Sequence, residues 1–514
     1  MKAANRVIKN TGILYVRMAI TVFISLYATR ILLASLGAND FGIFAVIGSA
    51  VAMLGFLNAS MSSASQRFMS YAHGQRDENK QIAIFNTSFL IHISIGAIMA
   101  LVLELIGLFL FSGFLDIDPD RLEIAKIVYH FVVISTFFTI ISVPYDAVIT
   151  ARENMLFFAI LSTLESLSKL AIALYVSYTS SDKLAVYGLL MACMMAILFL
   201  VRVLYCQSKY SECQFAPRKY YSRPLFIEML FFGGWSLLGS ASTMIASYGQ
   251  SIAINKFFGT TVNSAQGIAL QLNGQVCALG TTMLKALNPM LVKSEGSGAR
   301  EQMLKASLAG SKFGFYLLCI LCVPAIVEMP FILSLWLKNV PQYAVAFCSL
   351  LLIRSLVEQL FITLFESIKA VGDIKAFQIT LSFVSLCPLV LSCLAFYYSA
   401  QPWSLYLIFI IFSLVRMAVA LYFCSKKCGL IISDYVSLVI LKCLPIAIIT
   451  FFIDWCITLM FNEGVLRLLF IFLTSNLTLL ILVSILGLTH AERINLKSLL
   501  SRRLPLIRRK HSQS

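Results

Sequence analysis

Two cationic side chains lie inside segments that are apolar enough to cross a membrane. Arg17 belongs to the first such segment and Lys285 to the eighth. An arginine at the centre of a bilayer costs about 2.5–3.5 kcal/mol on insertion scales, so its retention indicates a compensating environment. Arginine suits phosphate through its fork of donors, and lysine suits it as a point charge. The two side chains therefore predict a site for an anionic group within the membrane.

Polar side chains recur at helical spacing beside both cations. Thr21 and Ser25 share a helical face with Arg17. Hydroxyl groups on such a face also serve simply to join packed membrane helices, whereas long amide and ammonium groups need partners or water. The polar positions of the seventh segment are Ser236, Ser240, Thr243, Ser247 and Gln250, and those of the eighth are Gln271, Gln275, Thr282 and Lys285. The predicted substrate-binding residues are Arg17, Thr21, Ser25, Ser247, Gln250, Gln271, Gln275 and Lys285.

The second arginine of the first segment, Arg30, is predicted to have a different role. It lies about 220° around the helix from Arg17, close to the outer end of the segment. From there its side chain can reach the lipid headgroups. We therefore expect Arg30 to contact the outer interface rather than a central cavity.

Carboxylates are absent from the polar faces of the first, second, seventh and eighth segments, although an exporter of cationic drugs would be expected to have them there. Glu165 with Lys169, and Arg354 with Glu358, are spaced to pair along one helix and are predicted to neutralise each other. Glu104 and Asp146 have no evident partner on their own helices. These two are therefore candidate sites for a coupling cation or a proton.

The composition is that of an all-α polytopic membrane protein. Of the 514 residues, 59% are hydrophobic and only 12% are charged, and about 20 apolar residues suffice to cross a bilayer. We predict about fourteen membrane helices, at 11–35, 41–65, 82–114, 124–149, 155–178, 184–207, 229–257, 263–291, 306–336, 343–370, 376–398, 403–424, 434–460 and 465–488.

The distribution of basic residues orients these helices. With the amino terminus inside, most of the 40 Lys and Arg residues fall in inner loops and tails, as the positive-inside rule requires. Both termini are therefore predicted to be cytoplasmic. The same asymmetry explains the net charge of +16 without a nucleic-acid partner, and the basic tail 493–510 is predicted to anchor the chain to lipid headgroups.

An internal repeat divides the chain. Gly37 and Gly74 recur as Gly259 and Gly296 at a constant offset, each pair enclosing one helix and an inner polar loop. A six-helix unit that appears twice in the same orientation predicts two lobes related by an axis along the membrane normal, with a site between them near the midplane. The predicted units are lobes 1–207 and 225–424, a basic linker 208–224, two further helices 425–490 and a tail 491–514.

Several stretches resemble a known family. RILLASLGANDFGIFAVIGS and ASQRFMSYAHG in the first lobe, and GGWSLLGSASTMIASYGQSIAINKFFGTTVNSAQGIALQLNGQ with ALNPMLVKSEG in the second, are similar to the Wzx-type flippases. These proteins belong to the multidrug/oligosaccharidyl-lipid/polysaccharide (MOP) superfamily. Fourteen helices also resemble the flippases, since the multidrug branch usually has twelve. The resemblance supplies no substrate-binding residues.

The resemblance implies a function and a location. It implies translocation of an undecaprenyl-pyrophosphate-linked oligosaccharide from the inner to the outer leaflet of the bacterial inner membrane, for O-antigen or capsule synthesis. Glycan polymerisation machinery is an implied partner. Two alternatives stay open: a cation-coupled multidrug antiporter of the same superfamily, and a membrane scaffold for polymerisation that transports nothing.

The sequence contains neither of two common enzymatic motifs. The sequence contains no G-x-x-x-x-G-K-[ST] loop for ATP and no G-x-S-x-G nucleophile motif. The five histidines are too scattered to predict a metal site. We therefore expect a transporter rather than an enzyme, with no cofactor and no bound metal.

Overall fold

The computed structural model describes residues 2–52, 55–114, 117–337, 339–489 and 492–494, and in these ranges the fold is all-α. This confirms the predicted fold class. Of the predicted tail 491–514 only 492–494 are described, so the predicted headgroup anchor 493–510 lies outside the described residues except for 493–494.

Fourteen helical segments follow one another along the described chain. The first six are α1 (2–36), α2 (38–52 and Gly55–Gln75), α3 (Glu78–Phe109), α4 (Pro119–Ile141 and Val143–Ala151), α5 (Met155–Tyr178) and α6 (Lys183–Lys209). The next six are α7 (223–258), α8 (260–296), α9 (Arg300–Val327 and Met329–Trp336), α10 (Ala344–Val371), α11 (Lys375–Tyr397) and α12 (Ser404–Cys428). The last two are α13 (Ile432–Met460) and α14 (Val465–Gly487).

Twelve continuous helical stretches in the described chain are long and apolar enough to cross a membrane. One of them, Arg223–Gly296, is two segments because the helix breaks at Gly259. The more polar α2 makes the fourteenth segment. The count therefore agrees with the predicted number of about fourteen.

Two predicted spans need longer helices. The sequence predicts the first span at 11–35 and the second at 41–65, whereas α1 begins at residue 2 and α2 continues to Gln75. Hydropathy detects only the part of a helix that lies in hydrocarbon, but the backbone hydrogen bonds continue into the polar loop. The predicted spans are therefore too short at the polar ends of these two helices.

Capping side chains fix two of the turns between helices. Asp77 accepts a hydrogen bond from the Lys80 amide at 2.9 Å and starts α3. Asn154 accepts one from the Phe157 amide at 3.2 Å and starts α5. A side-chain oxygen at this position satisfies an amide that has no partner within the helix. The cap at Asn154 positions α5, the helix that carries Phe158.

Gly37 and Gly259 occupy matching breaks in the two lobes. Both have φ of 80°, with ψ of 169° and −179° respectively. This combination of angles is accessible essentially to glycine alone. Each glycine therefore lets the chain reverse between two membrane helices without an intervening loop.

The other repeated pair marks where the lobes meet. A Cβ atom at Gly74 would overlap the carbonyl oxygen of Lys293, and one at Gly296 would overlap the carbonyl oxygen of Tyr71. The two contacts are equivalent, because Gly74 corresponds to Gly296 in the repeat and Tyr71 corresponds to Lys293. Such reciprocity is what a two-fold relation between lobes produces, although the domain boundaries themselves stay a prediction.

Contacts between the lobes close one end of the molecule, which we call the basic end; its turns include 76–77, 152–154, 297–299 and 372–374. There Arg67 donates to the carbonyl oxygens of Ala370 and Val371 at 3.2 and 3.1 Å. Glu153 also lies 3.4 Å from the ammonium of Lys293. These contacts tie the first lobe to the second at this end.

At the opposite end, none of the polar contacts among the described residues joins the first lobe to the second. Arg121 pairs with Asp40 and Asp182 in the first lobe. Tyr343 donates to Gln401 at 3.0 Å in the second. Polar contacts therefore join the two lobes at the basic end, and these contacts at the other end do not.

Substituting Gly259 should destabilise the fold. We expect Gly259→Ala to cost about 1–3 kcal/mol, because alanine is strained at this backbone conformation. Gly267→Ala in α8 is the matched control, since a Cβ there meets no atom within 4 Å and φ is not positive. Thermal unfolding of the purified protein measures both. Equal unfolding midpoints for the two variants would contradict the expectation.

Candidate cationic site between the lobes

Arg17 and Lys285 converge on one aromatic ring. The guanidinium carbon of Arg17 lies 5.5 Å from the centroid of the Phe158 ring, and the ammonium nitrogen of Lys285 lies 3.7 Å from it. Arg17 and Phe158 belong to the first lobe, whereas Lys285 belongs to the second. The face of an aromatic ring attracts cations. Phe158 therefore partly compensates two charges that the opposite lobes contribute.

Neither cation has a carboxylate within ion-pair distance among the described residues. The Arg17 Nη1 donates to the Ser162 hydroxyl at 3.4 Å, while its Nε is buried without a hydrogen-bond partner. Lys285 is exposed. Both side chains therefore keep donors for a further acceptor.

The nearby carboxylates are already paired. Asp146 lies within electrostatic range of Lys285, but its carboxylate accepts from the Arg202 Nε at 3.0 Å. Asp146 forms its ion pair with Arg202 of α6 and does not contact Lys285 directly.

The carboxylate near Arg17 is paired in the same way. Glu165 lies within electrostatic range of Arg17 and accepts from the Lys169 ammonium at 2.7 Å. The spacing of Glu165 and Lys169 on one helix predicted this pair. The charges of Arg17 and Lys285 are thus left in excess at the site.

An apolar groove adjoins Arg17. It lies between α1 and α5 and has a volume of about 630 Å³. Its lining residues are Gly12, Ile13, Val16, Arg17, Ile20, Leu156, Ala159, Ile160, Thr163, Leu164 and Leu167. Arg17 is the one charged side chain among them. The arrangement suits an amphipathic molecule, with a hydrocarbon part in the groove and an anionic part at the cations.

The eighth helix presents the predicted polar residues together. Gln271, Gln275 and Lys285 are all exposed, and Thr282 contacts the Met18 sulfur at 3.6 Å. A long polar side chain within a membrane helix is stable where it faces protein or water. The exposed side of α8 therefore carries these two amides on the same helix as Lys285.

The two hydroxyls predicted on α1 differ in their surroundings. Thr21 is half-buried and donates to the Met18 carbonyl oxygen of its own helix at 3.1 Å. Ser25 is exposed. Arg30 is exposed as well, further along the same helix. Of the two hydroxyls, Ser25 is therefore the more exposed.

Ser247 and Gln250 lie apart from this site. They line a small pocket inside the second lobe, together with Arg354 and Arg416. Gln250 is buried and donates to the Ala246 carbonyl oxygen at 3.1 Å. The predicted substrate-binding residues therefore do not all lie at one site. The helical spacing of α7 shows which residues share a face, but it does not show which helices that face contacts.

The two candidate coupling carboxylates have partners on other helices. Glu104 lies 3.0 Å from the His130 Nδ1, and both side chains are exposed. Asp146 pairs with Arg202, as described above. Helical spacing reveals only partners on the same helix, so the sequence alone predicts neither of these pairs.

Three residues of the site were not predicted. Arg202 is a basic residue within an apolar segment, which is a signal that could have identified it. Phe158 and Ser162 are ordinary residues of a membrane helix and carry no such signal. They are identified only by the cations that contact them.

Comparison with known proteins places the fold. The model of the MatE family matches residues 15–164, which include Arg17 and Phe158. Among solved structures, a MATE point mutant superposes with a TM-score of 0.73 at 13% identity, covering 83% of this chain and 96% of that one. The outward-facing conformation of a multidrug resistance MATE family transporter of the MOP superfamily gives 0.69 at 13% identity, with 83% and 96% covered.

A third structure is a MOP superfamily transporter from Pyrococcus furiosus, described as having a binding pocket of reverse polarity. It gives a TM-score of 0.70 at 14% identity and covers 83% of this chain and 96% of that one. No protein of curated function matches the sequence. The chain therefore has the fold of MATE transporters.

Proposed function

We propose that this protein flips an undecaprenyl-pyrophosphate-linked oligosaccharide from the cytoplasmic to the outer leaflet of the bacterial inner membrane, for O-antigen or capsule synthesis. The observation that carries the proposal is the meeting of Arg17 and Lys285 on Phe158 without a carboxylate partner. A pyrophosphate is an anion that needs cations to enter a medium of low dielectric constant.

The positions of the two cations suit alternating access. Arg17 belongs to one lobe and Lys285 to the other, so a rocking movement of the lobes changes the distance between them. Transporters built from repeats commonly hold their substrate at such an interface. The two cations bind the headgroup together in one state and release it when the lobes separate.

The surroundings of the site fit the remaining parts of this cargo. The apolar groove beside Arg17 takes up part of the prenyl chain. Gln271 and Gln275 are exposed on α8 and offer amide groups to sugar hydroxyls. The basic end faces the cytoplasm, following the positive-inside rule, and both termini lie on that side.

The alternative is a cation-coupled multidrug antiporter. The match to the MatE family model and the fold shared with a multidrug resistance transporter favour it. Glu104 and Asp146 are its candidate residues for a coupling cation or proton. We prefer the flippase because the charges left unpaired at the cleft are positive, whereas a cationic drug requires negative ones. Glycan polymerisation machinery is a proposed partner in either a transporting or a scaffolding role.

The proposal is tested by deleting the gene and extracting the lipids. We expect one undecaprenyl-linked glycan to accumulate in the inner leaflet while the corresponding surface polysaccharide is lost. A glycan-modifying enzyme added outside spheroplasts should not reach the accumulated lipid. Normal surface polysaccharide together with increased sensitivity to cationic drugs would favour the antiporter instead. Normal leaflet distribution with failed polymerisation would favour the scaffold.

A further inference from the structure

A second positively charged pocket lies inside the second lobe, among α7, α10, α11 and α12. Its volume is about 20 Å³, which is room for one water-sized particle. The polar residues that carry the argument are Arg354, Arg416, Gln250, Ser385 and Ser413. The pocket is distinct from the cationic site at Phe158, since none of its lining residues contacts that ring.

The charge of this pocket is not balanced. One oxygen of Glu358, Oε1, accepts from the Arg354 Nε at 3.1 Å and from the Arg416 Nη1 at 2.8 Å. The Ser413 hydroxyl donates to the same oxygen at 3.2 Å. Two guanidinium groups therefore share one carboxylate, and among the described residues no second carboxylate pairs with either arginine.

This arrangement corrects the expectation from spacing. Arg354 and Glu358 do pair along α10, as predicted, but Arg416 of α12 joins them. The predicted neutral pair is thus a triad with one excess positive charge. A net charge within a membrane-embedded bundle is strongly unfavourable unless a counter-charge accompanies it.

One hydrogen-bond donor in the pocket also has no acceptor. The Nε of Arg416 is buried without a hydrogen-bond partner, and a buried donor without an acceptor is destabilising. One small anion would supply both the acceptor and the counter-charge. Thr243 and Ser247 line the pocket and are exposed, which gives an ion a route into it.

We propose that this pocket binds one small inorganic anion of the size of chloride. Arg354 and Arg416 provide the charge, and the hydroxyls of Ser385 and Ser413 with the amide of Gln250 complete the polar wall. A pocket of this volume suits a monoatomic anion better than a tetrahedral oxyanion such as phosphate or sulfate. The anion balances the triad and thereby stabilises the packing of α10 against α12. The proposal is independent of the transported substrate.

Thermal unfolding of the full chain in detergent provides the test. Chloride is titrated against gluconate at constant ionic strength, and the unfolding midpoint is recorded. We expect a saturable rise with chloride and with bromide. In Arg416→Gln the remaining Arg354 and Glu358 are balanced, so the apparent halide affinity should fall at least tenfold. Arg300→Gln is the control, because Arg300 lies at the basic end and pairs with Glu295; it should respond as the wild type does.

A second variant keeps the test decisive if Arg416→Gln does not fold. Glu358→Gln removes the competing carboxylate and should raise the apparent halide affinity at least threefold. A crystal grown in bromide should show an anomalous peak beside the Arg416 Nε. No halide dependence in the wild type and in Glu358→Gln, or an unchanged dependence in Arg416→Gln, would overturn the proposal and assign the pocket to water alone.

Discussion

Replacing Arg17 by alanine is expected to reduce glycan delivery by about 10- to 150-fold, since a hydrogen bond to a charged group contributes about 1.5–3 kcal/mol. The loss has a specific cause. Arg17 is one of the two unpaired cations at Phe158, and its buried Nε has no other acceptor in the described structure. Arg17→Lys should retain part of the activity, because the charge survives while the fork of donors does not.

The matched control for this prediction lies on the same helix. Arg30 is exposed near the opposite end of α1, and lysine reaches lipid headgroups as arginine does. Arg30→Lys should therefore leave delivery nearly unchanged. Surface polysaccharide is measured in cells that contain equal amounts of each variant. Normal delivery with Arg17→Ala, or complete loss with Arg30→Lys, would show that the roles of the two arginines are reversed.

Alanine at Gly74 or at Gly296 is expected to open the basic end. Each substitution places a Cβ atom on a backbone carbonyl of the other lobe, that of Lys293 or that of Tyr71. Overpacking of this kind costs about 1–3 kcal/mol, and backbone yields less readily than a side chain. The ratio of open to closed molecules should therefore rise by about 5- to 150-fold.

Amide hydrogen exchange of segments 67–76 and 290–298 measures this opening. Both segments should exchange faster in Gly74→Ala and in Gly296→Ala, and to a similar degree, because the two contacts are reciprocal. Gly234→Ala is the control, since a Cβ there meets no atom within 4 Å. Unchanged exchange in Gly74→Ala would contradict the closure, and a large effect from only one variant would contradict the two-fold relation.

The membrane helices could be predicted from the sequence because each satisfies its own backbone hydrogen bonds within an apolar segment. Helix α5 was predicted at 155–178 and is Met155–Tyr178. Gly37 lies in the predicted connection between the spans 11–35 and 41–65, and the structure shows a backbone conformation there that requires glycine. Its counterpart Gly259 has the same φ of 80°. These features depend on the chain within a few residues of each position.

The candidate site could be predicted only in part. Arg17 and Lys285 stood out because a charge in an apolar segment needs an explanation, and the structure brings both to Phe158. Ser247 and Gln250 stood out by the same helical reasoning, yet they line the pocket with Arg416. A helical period defines which residues share a face and does not define which helix that face meets.

The sequence by itself determined that this is an all-α membrane protein, where its helices lie and which of their residues are too polar for lipid. Only the tertiary structure decided the partners of those residues. Asp146 of α4 pairs with Arg202 of α6. Arg416 of α12 joins Arg354 and Glu358, whose charges would cancel within α10 alone. The physical reason is that hydropathy and helical spacing are properties of one segment, whereas charge balance in a bundle depends on the angle and distance at which segments from distant parts of the chain pack together.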